Sequence, residues 1–328
     1  MEDLITHISN IYSLEAITTY SQVLKGYLTQ NYILHTKKGP TYFLKKYRFT
    51  IEDQIKDVHT VKSFFCNEGI PVIMPMITSI GTTYFSHNNN YYALFPYVKA
   101  QELVGKTMSD KAIISMAEML GDIHLLSNSK EIPAIKERLL EWNKATFLQK
   151  KEEIVNKIST IQNPTDFDVL ALNNIEMKER ELRKNSSSLH EINLPSHYLN
   201  HGDYLEANIF FGINDNISHI FDFEKTYIGT RMYEVFRSVL CAFLMEDTYE
   251  GRRKASVYID AYKKRYPFTK EEIINGFELT KQKIFNSLWV LEEHYLKNNI
   301  KVDDLLVSDT ARVTFIIEKQ SEFLDMFF

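Results

Sequence analysis

The sequence predicts an α+β fold in which a small β-rich part is followed by a larger, mostly helical part. The chain has 328 residues, enough for one large domain or for two lobes with a cleft between them. Short β-prone runs separated by turn residues recur up to residue 98, and helical periods dominate from Ser109 onward. We therefore predict an N-terminal lobe at residues 1–98 and a C-terminal lobe at residues 99–328.

The N-terminal part has the pattern of a small sheet with one inserted helix. The sequence KKGP forms a turn between two β-prone runs, and Gly69 follows a helical period where a helix would stop. The polar turn HNNN separates two further β-prone runs. The predicted elements are a helix at 2–20, strands at 32–35 and 41–47, a helix at 51–68, and strands at 70–80 and 91–98.

The C-terminal part is predicted to be helical except for one hairpin. The two β-prone runs of that hairpin flank the turn GINDN. Thr269 and Glu272 have the spacing of a capping box that starts a helix. The predicted elements are helices from 109, at 134–161 and at 168–190, strands at 208–211 and 219–223, and helices at 273–297 and 303–325.

Composition excludes several classes of protein. The net charge is −5, so the chain offers no basic surface of the kind that binds nucleic acid. No apolar run is long enough to cross a membrane, and the acidic N-terminus is unlike a signal peptide. The two cysteines, Cys66 and Cys241, stand in apolar surroundings and are expected to be buried, reduced thiols. This indicates a cytoplasmic protein.

The most informative segment is residues 201–224, HGDYLEANIFFGINDNISHIFDFE. It holds Asp203, then Asn208 five residues later, then Asp222 on a second apolar run. Phosphoryl transfer needs one carboxylate to orient the acceptor hydroxyl. It also needs an amide oxygen and a second carboxylate to hold Mg²⁺ on the nucleotide phosphates. The spacing of the two motifs favours this chemistry over a chance match.

A lysine for the phosphates is expected in the segment TYFLKKYRF. In an alternating strand Lys45 shares one face with Phe43 and Tyr47, and Lys46 lies on the other face. Alternation alone leaves both lysines as candidates.

Taken together, these motifs resemble the aminoglycoside phosphotransferase and choline kinase group of small-molecule kinases, which share the two-lobed protein-kinase fold. HGDYLEAN and FDFE stand where that group has its catalytic and metal-binding motifs. The resemblance implies that Asp203 is the catalytic base or hydroxyl-orienting carboxylate and that Asn208 and Asp222 are Mg²⁺ ligands. It also places the phosphate-binding lysine at Lys45, with ATP or GTP as the donor.

The resemblance assigns further residues to the nucleotide. A phosphate-covering turn would run from Gly26 to Asn31, and the adenine would lie against a linker that contains Phe95 and Tyr97. The helix at 51–68 would supply an acid that pairs with Lys45. The candidates for this acid are Glu52, Asp53 and, best placed, Asp57.

Other residues are expected to support the loop. His201 would brace it through hydrogen bonds, and Glu234 stands where the group usually has an aspartate that anchors the catalytic loop. His124, on an apolar helical face, is expected to be structural. Glu224 would either join the metal site or face a cationic substrate.

The acceptor would be a small hydroxylated molecule, similar to an aminoglycoside, to choline or to a sugar, and a cationic acceptor is one alternative. The residues considered for it are Trp142, Glu206, Trp289, Glu292, Glu293 and Tyr295. A second reading is a catalytically weak or inactive kinase-like protein with a binding or structural role. The Tyr- and Lys-rich style is similar to that of spore-coat-associated members of the group.

Overall fold

The computed structural model describes residues 1–23, 30–37, 39–99, 101–135, 144–184 and 194–328, so Gly26 and Trp142 lie outside the described residues. The N-terminal elements are α1 (Glu2–Ile11), β1 (Ile17–Val23), β2 (Asn31–Thr36), β3 (Thr41–Lys46), α2 (Glu52–Asn67), β4 (Phe85–His87) and β5 (Asn90–Pro96).

The remaining elements form the helical part and two small β pairs. The helices are α3 (Asp110–Ser129), α4 (Lys144–Ser159), α5 (Asp166–Lys184), α6 (Arg231–Phe243), α7 (Tyr249–Arg265), α8 (Lys270–Asn286), α9 (Trp289–Leu291), α10 (Asp304–Glu318) and α11 (Gln320–Asp325). The strands are β6 (Tyr198–Asn200), β7 (Ile209–Phe211), β8 (Ile217–Ile220) and β9 (Tyr227–Gly229).

The five N-terminal strands form one antiparallel sheet in the order β1-β2-β3-β5-β4. Because side chains alternate along a strand, Leu34, Leu44 and Leu94 share one buried face with Leu4 and Ile8 of α1. The opposite face packs against α2 through an aromatic and aliphatic cluster. The sheet therefore lies between two helices, and the predicted α+β class is confirmed.

The β7–β8 hairpin is bonded to the N-terminal part of the chain. Ile220 donates its backbone N–H to the Pro71 carbonyl at 2.7 Å and accepts from the Ile73 N–H at 3.1 Å. A strand was predicted at 70–80, but these residues, all of which the structure describes, form no strand. Val72 forms only an isolated bridge with Ile220. A boundary between lobes at residue 98 stays a prediction.

Two predicted helices are shorter than expected. The helix predicted at 2–20 ends at Ile11, and Ser13 takes the left-handed conformation with φ +51, after which the chain enters β1. The helix predicted at 273–297 ends at Asn286 and resumes as α9, which passes into a π-helical turn at Glu292–Leu296. Short-range periodicity does not reveal either break.

The cysteine prediction is wrong for Cys66, which is exposed, while Cys241 is half-buried, and both are free thiols. Within the described ranges, no helix combines the length and apolar character that a membrane crossing requires.

The capping box predicted at Thr269 is confirmed. The Thr269 hydroxyl accepts the Glu272 N–H at 3.1 Å, and the Glu272 carboxylate accepts the Thr269 N–H at 3.0 Å. We expect Thr269→Ala to lower the free energy of unfolding by about 1 kcal/mol, because an orphan amide of α8 loses its acceptor. Urea unfolding measures this, and Thr269→Ser should keep the wild-type value. Equal stability of the alanine and serine variants would contradict the assignment.

Candidate active site

Lys45 lies on β3, on the sheet face that packs against α2. Leu44 enters the core beneath α1, and Lys45 points the other way, with its Nζ 4.9 Å from the centre of the Phe221 ring. Only 4% of Lys45 is exposed. Lys46 is half-buried on the opposite face, so of the two candidates only Lys45 lies on the α2 side.

Two carboxylates hold the Lys45 amine. Its Nζ lies 2.8 Å from Asp222 Oδ1 and 2.6 Å from Glu224 Oε1. Burial lowers the pKa of Lys45, but the two carboxylates outweigh burial and raise the pKa above its usual range. The amine is therefore a fixed positive charge. Glu224, expected at the metal or opposite a cationic substrate, is instead its ion-pair partner.

The helix α2 presents a second buried lysine to this region. Lys62 is 2% exposed, and its Nζ lies 4.2 Å from the centre of the Phe95 ring and 5.2 Å from that of Phe221. Burial, reinforced by the charge of Lys45, lowers the pKa of Lys62 well below its usual range. Asp57, the acid expected from this helix, is half-buried, and its pairing with Lys45 stays a prediction.

The catalytic-loop motif is braced by its own histidine. His201 Nε2 lies 2.9 Å from the Phe221 carbonyl oxygen, to which it must donate. The ring's Nδ1 then accepts the Asp203 N–H at 3.2 Å, and burial lowers the pKa of His201, which keeps the ring neutral. Gly202 has φ +86, and a Cβ there would lie 1.9 Å from the Lys225 carbonyl oxygen. The predicted bracing role of His201 is confirmed.

Glu234, in the first turn of α6, anchors the same loop. Its carboxylate accepts the backbone N–H of His201 at 3.0 Å and also that of Gly202. His124 lies 3.3 Å from this carboxylate and 2.7 Å from the Tyr262 hydroxyl, and it is fully buried. The predicted anchoring by Glu234 and the structural role of His124 are both confirmed.

Asn208 and Asp222 come together at the open end of the β7–β8 hairpin. The Phe221 N–H donates to the Asn208 carbonyl at 3.0 Å, which places the residue before Asp222 beside Asn208. The Asn208 Nδ2 donates to the Asp203 carbonyl at 2.9 Å, so its side-chain oxygen is not used in that bond. Asp222 takes the left-handed conformation, with φ +63.

Asn208 and Asp222 suit a metal ion that the substrate phosphates also bind, rather than an ion held by protein side chains alone. No group of three or more His, Cys, Asp or Glu residues that could hold a metal ion occurs in the described part of the chain. Mg²⁺ is commonly bound by one or two carboxylates together with substrate phosphates. One amide oxygen and one carboxylate, from Asn208 and Asp222, match that donor set.

Asp203 is enclosed by two cations. Its Oδ2 accepts a hydrogen bond from Lys225 Nζ at 2.9 Å, and Arg237 Nη2 lies 2.6 Å from its Oδ1. The Arg237 contact is an ion pair without hydrogen-bond alignment, and Oδ1 makes no hydrogen bond with any residue that the structure describes. Burial raises the pKa of Asp203, but Arg237 and Lys225 outweigh it and hold the pKa well below its usual range.

Two residues of the predicted adenine linker, Phe95 and Tyr97, make contacts within the N-terminal part of the structure and beside it. Phe95 is 1% exposed, and its ring packs edge-on against Phe221 at 5.3 Å, so it forms the floor between α2 and the loop before Asp222. Tyr97 is exposed, but its N–H donates to the Thr41 carbonyl at 3.1 Å. The sheet therefore uses the Tyr97 amide, and contact of its exposed ring with a nucleotide stays a prediction.

The predicted phosphate-covering turn falls between β1 and β2. Gly26 lies outside the described residues. Asn31 is the first residue of β2, paired with Val23, and its side-chain oxygen accepts the Lys46 N–H at 3.3 Å. Contacts of Gly26 and Asn31 with phosphates stay predictions.

Three residues of the site were not assigned these roles from the sequence. Glu224 binds Lys45, Arg237 faces Asp203, and Lys62 packs over two aromatic rings. Lys62 carries a weak signal, because it interrupts the apolar face of α2 between Val58 and Phe65. The other two contacts join distant parts of the chain, and no local pattern predicts them.

The chain belongs to the phosphotransferase enzyme family, whose model matches residues 19–269. This confirms the predicted resemblance and the predicted enzyme class, a small-molecule kinase. A search of curated proteins found no match.

Solved structures of small-molecule kinases share the fold. Spectinomycin phosphotransferase, in complex with ADP and spectinomycin, is 14% identical with a TM-score of 0.66, over 97% of this chain and 98% of that one. Amicoumacin kinase, in complex with AMP-PNP and Ca²⁺, is 12% identical with a TM-score of 0.61, over 94% and 93%. Choline kinase from Cryptosporidium parvum Iowa II is 15% identical with a TM-score of 0.62, over 99% and 97%. The predicted protein-kinase-like fold is confirmed.

We expect Glu234→Gln to lower the free energy of unfolding by about 1–3 kcal/mol at neutral pH, because an amide nitrogen would then face the loop N–H groups. Burial raises the pKa of Glu234, but its hydrogen bonds with His124 and with the Gly202 N–H outweigh burial and lower the pKa. Its stabilisation is therefore present above the unfolded pKa of about 4.3 and is lost as pH falls through the lower folded pKa. Urea unfolding from pH 7 to pH 3 should show the difference shrinking, with exposed Glu318→Gln as control. A difference that does not depend on pH would contradict this assignment.

The pair Glu224→Gln and Asp57→Asn identifies which acid supports Lys45. We expect Glu224→Gln to weaken stabilisation by Mg²⁺–ATP about tenfold in apparent affinity, because the Lys45 amine loses one of its two carboxylates. Asp57→Asn should leave the affinity near the wild-type value. Thermal melting across an ATP series measures both variants. A larger loss of affinity in Asp57→Asn than in Glu224→Gln would instead support Asp57 as the principal partner of Lys45.

Proposed function

We propose that this protein is a Mg²⁺-dependent kinase that transfers the γ-phosphoryl group of ATP or GTP to a hydroxyl group of a small molecule. The observation that carries the proposal is the convergence of Lys45, from β3, with three residues of the distant segment 201–224. Lys45 binds Asp222, Phe221 bonds the backbone of Asn208, and the Asn208 amide bonds the backbone of Asp203.

Asp203 is the residue proposed to receive the acceptor. Its Oδ1 makes no hydrogen bond with any described residue, although Arg237 Nη2 lies 2.6 Å away in an ion pair. Oδ1 can accept the hydrogen bond of a hydroxyl group when that guanidinium moves aside. The acceptor oxygen then forms a bond to the γ-phosphorus as the bond from that phosphorus to the β–γ bridging oxygen breaks. The hydroxyl proton leaves toward Asp203, and the nucleoside diphosphate is the leaving group.

Asn208 and Asp222 are the residues proposed to hold Mg²⁺, through the amide oxygen and a carboxylate oxygen. The bound ion would neutralise charge on the β- and γ-phosphates. Asp222 now accepts from Lys45, and metal binding would use the carboxylate lone pairs that this bond leaves. Glu224 would keep the Lys45 amine in place while Asp222 serves the metal.

Lys45 is proposed to contact the α- and β-phosphates as a fixed positive charge. Tyr97 would lie against the base, above the floor formed by Phe95, and the chain between β1 and β2, with Gly26 and Asn31, would cover the phosphates. We also propose that the protein acts in the cytoplasm, which its two free thiols support. Aminoglycosides, choline-like amines and sugars are the first acceptor classes to screen, by analogy with the named relatives.

Thermal melting with ATP and with GTP, each with and without Mg²⁺, tests the nucleotide site. We expect a Mg²⁺-dependent rise in melting temperature that corresponds to about 2.7 kcal/mol at a ligand concentration of 100 Kd. Asp222→Ala should abolish the Mg²⁺-dependent part, and Asp166→Ala, at an exposed position on α5, should not. Asp203→Asn should keep the shift but lower turnover of an identified acceptor by about 100-fold or more.

The two outcomes separate the proposal from its alternative. A Mg²⁺-dependent shift that is lost in Asp222→Ala supports a working kinase. No shift with any nucleotide would instead support a kinase-like protein with a binding or structural role, and full turnover by Asp203→Asn would overturn the role of Asp203.

A further inference from the structure

One face of α6 carries a row of functional groups that leads away from Asp203. Tyr233, Arg237 and Cys241 are spaced four residues apart, so they lie above one another on the helix. Lys283, from α8, lies with its Nζ 3.7 Å from the centre of the Tyr233 ring. Arg312, from α10, lies with Nη1 3.7 Å from the Cys241 sulfur. Three helices thus bring three basic side chains to the region beside the proposed base.

Cations outnumber carboxylates in this region. Asp203 is shared by Lys225 and Arg237, and Asp309 is shared by Lys178 and Arg312. Lys283 adds a further amine. Burial lowers its pKa to about 7, because the opposing effect of the Glu234 charge does not outweigh burial and Arg237 lowers the pKa further. A further acid, Glu234, is buried and is used by the catalytic loop.

Two guanidinium nitrogens of this region, one on α6 and one on α10, have no hydrogen-bond partner among the described residues. Arg237 Nη1 and Arg312 Nε are buried and make no hydrogen bond with any residue that the structure describes. Buried donors are normally satisfied, and a guanidinium with an unused N–H edge matches the oxygens of a carboxylate or a phosphate. The Arg237 side chain is 20% exposed, and that of Lys225 is 49% exposed, so this region is open to solvent on one side.

Two of the three acids that would favour a cationic acceptor, Glu292 and Glu293, form ion pairs with lysines. Glu292 binds Lys150 at 2.9 Å, and Glu293 binds Lys297 at 2.6 Å. Tyr295 donates to Asp168 at 2.6 Å. These contacts hold α4, α5 and the turn after α9 together, so the expected acidic cleft for an amine has no support from these three residues.

We infer that the acceptor carries an anionic group, a carboxylate or a phosphate monoester, close to the hydroxyl that is phosphorylated, and that Arg237 binds this group. The inference rests on the proposed function, and among hydroxylated acceptors it places anionic ones ahead of aminoglycosides and choline-like amines. Arg237 now lies over Oδ1 of Asp203, and an anion that draws its guanidinium aside uncovers that oxygen for the hydroxyl. One movement then both binds the acceptor and frees the base, and Arg312 adds positive charge at the same end.

Binding of matched probes to the full-length protein tests this inference. Each of two carbon skeletons is used as a carboxylate, a phosphate ester, a neutral compound and an amine. The three-carbon probes are glycerate, glycerol 3-phosphate, glycerol and 2-amino-1,3-propanediol. The six-carbon probes are gluconate, glucose 6-phosphate, glucose and glucosamine. Calorimetry and thermal melting are run with Mg²⁺ and AMP-PNP saturating the nucleotide site, so that phosphate esters do not bind there. We expect the anionic forms to bind at least tenfold more tightly than the neutral and amine forms, and the acid and phosphate arms tell the two anions apart.

Variants at Arg237 give the decisive comparison. Arg237→Gln should reduce affinity for the anionic probes about tenfold or more, Arg237→Lys should retain part of it, and exposed Arg183→Gln on α5 should have no effect. Where a probe is turned over, Arg237→Gln should raise its KM and leave the KM of ATP unchanged. Nucleotide binding by Arg237→Gln verifies that this variant is folded.

Three results would overturn the inference: preferential binding of the amine or neutral forms, binding of none of the probes, or equal anion affinity of wild type and Arg237→Gln. Failure of the proposed function has a different signature, because AMP-PNP and Mg²⁺ would then not bind at all. The anionic probes are also titrated against the nucleotide-free protein, so that anion binding is measured whether or not the protein binds AMP-PNP.

Discussion

The buried ion pairs of Lys45 are the interaction on which the site depends. A lysine taken out of water is stable as a cation only when carboxylates replace its hydration. The sheet supplies none on β3 itself, and both partners come from the three-residue stretch Asp222–Glu224. Because Lys45 and Asp222 are 177 residues apart in the chain, this pairing fixes the loop after β8 against the sheet. The same loop carries a proposed metal ligand, so folding and metal geometry are set together.

The Glu234 carboxylate fixes the catalytic loop, as the carboxylates of Asp222 and Glu224 fix the Lys45 amine. Glu234 satisfies consecutive backbone amides at His201 and Gly202, where the left-handed glycine leaves the N–H groups pointing to one side. Glutamate is longer than the aspartate that the resemblance leads one to expect, but its carboxylate accepts both N–H groups from the first turn of α6. The position of the carboxylate oxygens, rather than the residue type, is what the loop requires.

Much of the site could be predicted because its chemistry is local in sequence. Asp203, Asn208 and Asp222 lie on one loop and one hairpin, and strand alternation together with the resemblance separates Lys45 from Lys46. The partners could not be predicted in the same way. Glu224 was visible in the motif, but its choice of Lys45 depends on how the sheet meets the loop. Arg237 lies within an ordinary helical pattern, and only the packing of α6 beside Asp203 gives it a role. The same limit applies to the fold, where β1 was missed because residues 2–20 keep helical spacing past the break at Ser13.

The low pKa of Asp203 restricts how this residue can act. A carboxylate held by Lys225 and Arg237 is a weak base, so it cannot remove the hydroxyl proton early in the reaction. Phosphoryl transfer through a loose transition state does not need early removal, because the acceptor oxygen gains little bond order before the leaving group departs. In the proposed mechanism, orientation of the hydroxyl is therefore the larger contribution of Asp203, and proton transfer follows as the new bond forms. If an anionic acceptor displaces Arg237, the basicity of Asp203 rises only when the acceptor is in place, which limits transfer of the phosphoryl group to water.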